Sequence, residues 1–153
     1  MRFVRGTMCA ALVAAFAVTA VYAAKSYKQT HRNMITDVAE GRADKAAAAA
    51  RKFLEKNPGD LESHFVLACA HTVQGDLKKA MAHVKAAVEG GMPIGRFLAG
   101  PRDLLKPLVE SNAFKALAKG QAPALIHGPM VGSVTDSSAR FWVRTAEEAD
   151  VEV

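Results

Sequence analysis

Apolar and polar positions follow three successive rhythms along this chain. From Thr7 to Ala20 (TMCAALVAAFAVTA) no charge interrupts an apolar run of 14 residues. From Lys28 to Lys119 apolar residues recur every three to four positions, the period of a helix with one buried face. From Leu125 onwards they alternate with polar residues in short runs, the period of a half-buried strand. The pattern predicts a mainly α chain that ends in a β segment.

The first run reads as the core of a secretory signal peptide over residues 1–23. Arg2 and Arg5 supply its positive start, and Val21 and Ala23 place small residues at the −3 and −1 positions of a cleavage site. Its 14 residues fall short of the roughly 18–20 that span a bilayer. The uncharged run continues to Ala24, so an uncleaved anchor is the competing reading. Cleavage after Ala23 would export the protein to the periplasm or beyond, with no membrane attachment. Arg2 and Arg5 are not adjacent, and Cys9 precedes the apolar run, which argues against a twin-arginine leader and against lipid attachment. Cys9 would leave with the leader, and Cys69, alone in an apolar helical stretch, reads as a small buried hydrophobe.

The helical middle repeats itself. Gly41 and Gly75 stand 34 residues apart, and Lys45/Lys79, Ala46/Ala80, Ala50/Val84 and Leu54/Val88 share that offset. In the second copy Leu67 and Ala68 pack one helix, Gly75 and Asp76 make the turn, and Ala80, Val84, Ala87 and Val88 line the next helix, with Pro93 after it. Small residues are wanted where two helices cross closely, and Asp76 is placed to cap the second helix. In the first copy Asp44 is the expected N-cap of a helix running to Lys56, followed by the breaker Asn57-Pro58-Gly59-Asp60. Its leading helix, Lys28 to Glu40, puts Asn33 and Asp37 where packing residues are expected.

A period of 34 residues resembles the helix–turn–helix of tetratricopeptide (TPR) repeats. The stretch Asp103-Leu104-Leu105-Lys106-Pro107-Leu108, followed by Phe114 and Leu117, is similar to a closing element that follows TPR-like pairs in many bacterial proteins. There Leu104, Leu105, Leu108, Phe114 and Leu117 would cover the open end of the last repeat, as stacked repeats require. Residues 24–119 are therefore expected to form a TPR-like helical domain, and 120–124 a linker. Its stacked helices would either present a shallow groove to a protein or peptide or simply pack against a neighbouring domain.

Residues 125–153 are expected to hold two strands and the start of a third. The first runs from Leu125 to Thr135, the turn is Asp136-Ser137-Ser138, and the second runs from Ala139 to Thr145. Ala139, Phe141, Val143 and Thr145 would point one way, and Arg140, Trp142 and Arg144 the other. Glu147 to Asp150 is a further turn, and Val151-Glu152-Val153 opens the next strand. A hairpin of this size cannot bury its own apolar residues, because three or more strands with a packed face are needed. Either the helices cover it or it is the front of a larger sheet.

The string HGPMVGSVTDSSARFWVRTAEEADVEV (His127–Val153) resembles the opening of the fibronectin-type-III-like N-terminal domain of the alkaline phosphatase D (PhoD-like) family. The matching residues are Gly128-Pro129, Gly132, Val134 to Arg140 and Trp142-Val143-Arg144. The leader without twin arginines and the helical segment ahead of the sandwich depart from many members. The resemblance implies a secreted, metal-dependent phosphomonoesterase or phosphodiesterase. It also implies iron and calcium held by Asp, Asn, His, Cys and Tyr in a downstream α/β domain. None of those ligand motifs occurs here, so no catalytic, cofactor-binding or metal-ligating residue is assigned to this chain. The expectation is a non-catalytic front part of such an enzyme, and the alternative is a free-standing exported TPR-like interaction module.

Composition and charge narrow the field further. With 50% hydrophobic and 23% charged residues, the chain is neither disordered nor collagenous, nor a many-span membrane protein. Losing Arg2 and Arg5 lowers the net charge of +5 by two, and the remainder is too diffuse for nucleic-acid binding. His64, His71 and His83 fall on the repeat helices, with His64 and His71 seven apart on one face. Without zinc-like spacing or further ligands they read as helix-packing or groove-lining residues.

Overall fold

A computed structural model describes residues 26–146 and 148–152. The leader, its cleavage site and Cys9 lie outside the described residues. Seven helices are found among those residues: α1 (26–39), α2 (Ala43–Lys56), α3 (Leu61–Val73), α4 (Leu77–Glu89), α5 (Gly95–Ala99), α6 (Arg102–Val109) and α7 (Asn112–Ala118). Two antiparallel strands follow, β1 (Leu125–Gly132) and β2 (Arg140–Thr145).

The helices pack in pairs, and the turn of each pair has the same construction. Gly41 adopts φ +80° and donates to the Val38 carbonyl, while Arg42 donates to Asp37. Gly75, at φ +79°, donates to Thr72 as Asp76 donates to His71. This left-handed closure satisfies the last carbonyls of a helix, and a β-carbon would strain it. The equivalent pairs across the 34-residue offset then occupy equivalent places. Ala46 and Ala80 are both fully buried, as are Ala50 and Val84.

Helix α3 is the centre of the molecule, with every residue from Phe65 to Thr72 buried. Helix α2 approaches it through Ala43, Ala46, Ala47 and Ala50, whose small side chains permit close contact. Helix α4 turns Ala80, Met81, Val84 and Ala87 inward. The expected closing segment is two helices, of which α6 folds back on α3 and α7 packs on α6. Leu105, Leu108 and Phe114 are buried, and Leu104 and Leu117 pack at their margin. Phe65, Phe97 and Phe114 form a chain of rings with centroids 5.1 Å and 6.4 Å apart.

Several local expectations change. Helix α1 packs through His31, Met34, Ile35 and Val38, a run at i, i+3, i+4 and i+7, so Asn33 faces outward. Asp37 does not pack either, and instead pairs with Arg42 and Lys45 across the turn. Asp44 is not the cap of α2. The N-cap is Arg42 without a side-chain bond, and Asp44, within the first turn, accepts from the Gln74 amide at 2.7 Å. Asp76 does cap α4, accepting from the Lys79 amide at 3.0 Å.

The hairpin is shorter and more open than the alternation suggests. Strand β1 stops at Gly132, because Thr135 closes a turn by accepting from the Ser137 and Ser138 amides. Two irregularities in β1 slip the pairing between Leu125↔Thr145 and Met130↔Trp142. Gly128 sits between them at φ +97°, where a β-carbon would lie 2.6 Å from the Trp142 carbonyl. Val151 and Glu152 belong to no strand, so no third strand begins there among the described residues. Neither face is consistently buried, since Phe141 and Trp142, on opposite faces, are 50% and 49% exposed. No helix among the described residues is long and apolar enough to cross a membrane.

Candidate functional site

Two polar clusters and one cleft concentrate the chemistry of the helical body. The first cluster fastens α1 to the start of α3. His31 Nε2 lies 2.8 Å from Asp60 Oδ2 and 3.2 Å from Ser63 Oγ, and its Nδ1 lies 3.0 Å from the Tyr27 carbonyl. The Tyr27 hydroxyl donates to the other Asp60 oxygen, and the Ser63 amide donates to Asp60 at 2.8 Å, which caps α3. Burial pushes the Asp60 carboxyl up, but hydrogen bonds from Ser63, Tyr27 and His31 outweigh it and hold the group below the usual carboxylate range. Burial and then the Asp60 charge push the Tyr27 phenol well above its ordinary value.

Serine, histidine and aspartate together invite comparison with a nucleophilic triad, and the geometry excludes it. In a triad the carboxylate and the hydroxyl engage opposite ring nitrogens. Here both lie on Nε2, while Nδ1 faces a main-chain carbonyl, and Ser63 is wholly buried. The cluster is a structural staple. The sequence signal that could have revealed it is His31 itself, which falls on the same helical stripe as Met34 and Val38.

The second cluster spans α3 and α4. His64 Nδ1 and His83 Nδ1 are 3.1 Å apart, and the His71 ring lies parallel to His83 with centroids 5.6 Å apart. His71 Nδ1 donates to Gln74 Oε1 at 2.9 Å, and Gln74 in turn donates to Asp44. Burial, then the charges of His64, His71 and Arg51, push His83 down to about 4. Burial lowers His64 as well, against the opposing pull of Asp60. The heptad relation of His64 and His71 was legible in the sequence. The approach of His83 was not, because it depends on how α4 crosses α3.

A cleft of about 690 Å³ opens beside the staple, where the starts of α3 and α5 meet β1. Tyr27, Leu61, Met92, Pro123 and Ile126 give it apolar walls. Arg96, on its rim, bonds Glu62 at 3.1 Å and lies 3.9 Å above the Phe65 ring. Cys69 is elsewhere and inert, buried in the core with its thiol pushed up to about 12 by desolvation.

Among the described residues, no group of three or more His, Cys, Asp or Glu side chains could hold a metal ion. Among these residues the donor set implied for iron and calcium has no fit, and no step of iron or calcium chemistry is derived from them. No family model, curated protein or solved structure matches the chain.

Proposed function

We propose that this chain is the non-catalytic N-terminal part of a secreted, PhoD-like metal-dependent phosphoesterase. In this reading it comprises an export signal, a TPR-like helical adaptor and the first strands of a fibronectin-type-III-like sandwich. The observation that carries it is the contrast between the two folded parts. The helical body has a closed apolar core, whereas the hairpin leaves Met130, Val131, Phe141 and Trp142 about half exposed. A two-stranded ribbon with both faces apolar is stable when further strands cover it.

Two measurements test this reading. The purified chain should release no nitrophenol from nitrophenyl phosphate or bis(nitrophenyl) phosphate with added iron and calcium. Chelator-sensitive release would overturn it. The messenger downstream of the Val153 codon should continue in frame into Asp- and His-rich ligand motifs, and an immediate stop codon would count against it.

The cleft favours a second reading, a free-standing exported module that takes a peptide. Its apolar walls and the Glu62–Arg96 pair at its rim suit an extended segment with one apolar anchor. Crosslinking at Met92 to a separate polypeptide, together with a stop codon after Val153, would select it over the first.

A further inference from the structure

We propose that His64 and His83 form an open two-nitrogen site for a divalent transition-metal ion, Cu(II) foremost, that bridges α3 and α4. The inference is independent of the function proposed above. It starts from the separation of 3.1 Å between the two Nδ1 atoms. Imidazole nitrogens bind such ions at about 2.0–2.1 Å, which sets two ligands roughly 2.9 Å apart at a right angle and roughly 3.3 Å apart at the tetrahedral angle. The observed spacing falls between these limits. Turning the two rings until both Nδ1 lone pairs converge on one point exchanges the N–H···N contact for two bonds to one ion.

Two further features agree with this placement. Both rings are only half-buried, so water or an incoming ligand completes the coordination. The His71 ring stacks on His83 and is itself tied by Gln74 to Asp44, which backs the His83 ring with a held neighbour. His71 supplies no ligand, because its Nδ1 is engaged. The nearby charges oppose each other: Asp60 favours a cation on the His64 side, and Arg51 disfavours one beside His83. A pure nitrogen pair without thiolate or carboxylate selects Cu(II) over Ni(II) and Zn(II) by the usual affinity order.

The test is a titration of the full chain with Cu(II), followed by electron paramagnetic resonance and by NMR line broadening. One equivalent should bind, with hyperfine coupling to two imidazole nitrogens, and broadening should centre on His64 and His83. His64→Gln and His83→Gln should each weaken binding at least ~10-fold, with His127→Gln unchanged. The proposal fails if the wild-type spectrum lacks imidazole coupling, if broadening centres elsewhere, or if both variants bind as tightly as the wild type. Should either variant not fold, the broadening map of the wild-type chain decides alone.

Discussion

Gly100 has no room for a methyl group. A β-carbon there would lie 2.8 Å from Phe65 Cζ and 3.1 Å from the Arg96 carbonyl, at the junction where α5 meets α6. Gly100→Ala is expected to destabilise the fold by about 1–3 kcal/mol through overpacking, as read by urea unfolding. A second residue-scale effect is acid sensitivity at His83. Its folded value is depressed to about 4 from the ordinary 6.5, so the unfolded chain takes up the proton first as pH falls. The stability gained from a neutral His83 is complete above pH 6.5 and is lost on descending to about 4. Discounted for the partial exposure of the ring, the loss is on the order of 1 kcal/mol. His83→Gln should flatten the pH dependence of the unfolding midpoint across that window, and an unchanged slope would refute the assignment.

At the scale of elements, the first helix depends on one buried carboxylate. Asp60 caps α3 and at the same time accepts from Tyr27 and contacts His31 of α1. Removing it leaves the α3 amide uncapped, the Tyr27 hydroxyl without its acceptor and His31 Nε2 with Ser63 alone. Asp60→Ala should cost about 2–4 kcal/mol, the sum of a cap and a buried polar partner, measured by denaturant unfolding. Asp76→Ala, at the matching turn of α4, removes a more exposed cap and should cost only about 1 kcal/mol. Equal losses in the two variants would show that the staple contributes nothing beyond its cap.

For the whole molecule, the division is between a closed helical body and an open ribbon. Amide exchange should be slow across Leu61–Glu89, where the buried residues of α3 and α4 meet, and fast beyond Pro129. Trp142, the only tryptophan, is 49% exposed and reports on the ribbon directly. Its emission should be red-shifted and readily quenched by iodide in the isolated chain. Covering of the ribbon by further strands should shift the emission to the blue. Blue, protected emission from the isolated chain would mean that the helices already cover the hairpin, and the case for added strands would fall.

The sequence by itself determined the helical character of residues 28–119, the paired turns and the small-residue contact faces. These follow from local rules: Gly41 and Gly75 supply left-handed closures, Asp76 supplies a cap, and the apolar period marks the inward stripe. It also placed the closing leucines and Phe114, because an open helix pair must be covered. Tertiary structure alone decided the rest. Asp44 bonds Gln74 at the end of another helix instead of capping its own, and His31 and Asp60 meet across 29 residues. His64 and His83 come together only through the crossing of α3 and α4. The hairpin's two irregularities overrode the alternation that period-two reading assumes. Local backbone preferences extend over a few residues and are written in neighbours, whereas polar contacts between elements depend on how packed helices are rotated against each other.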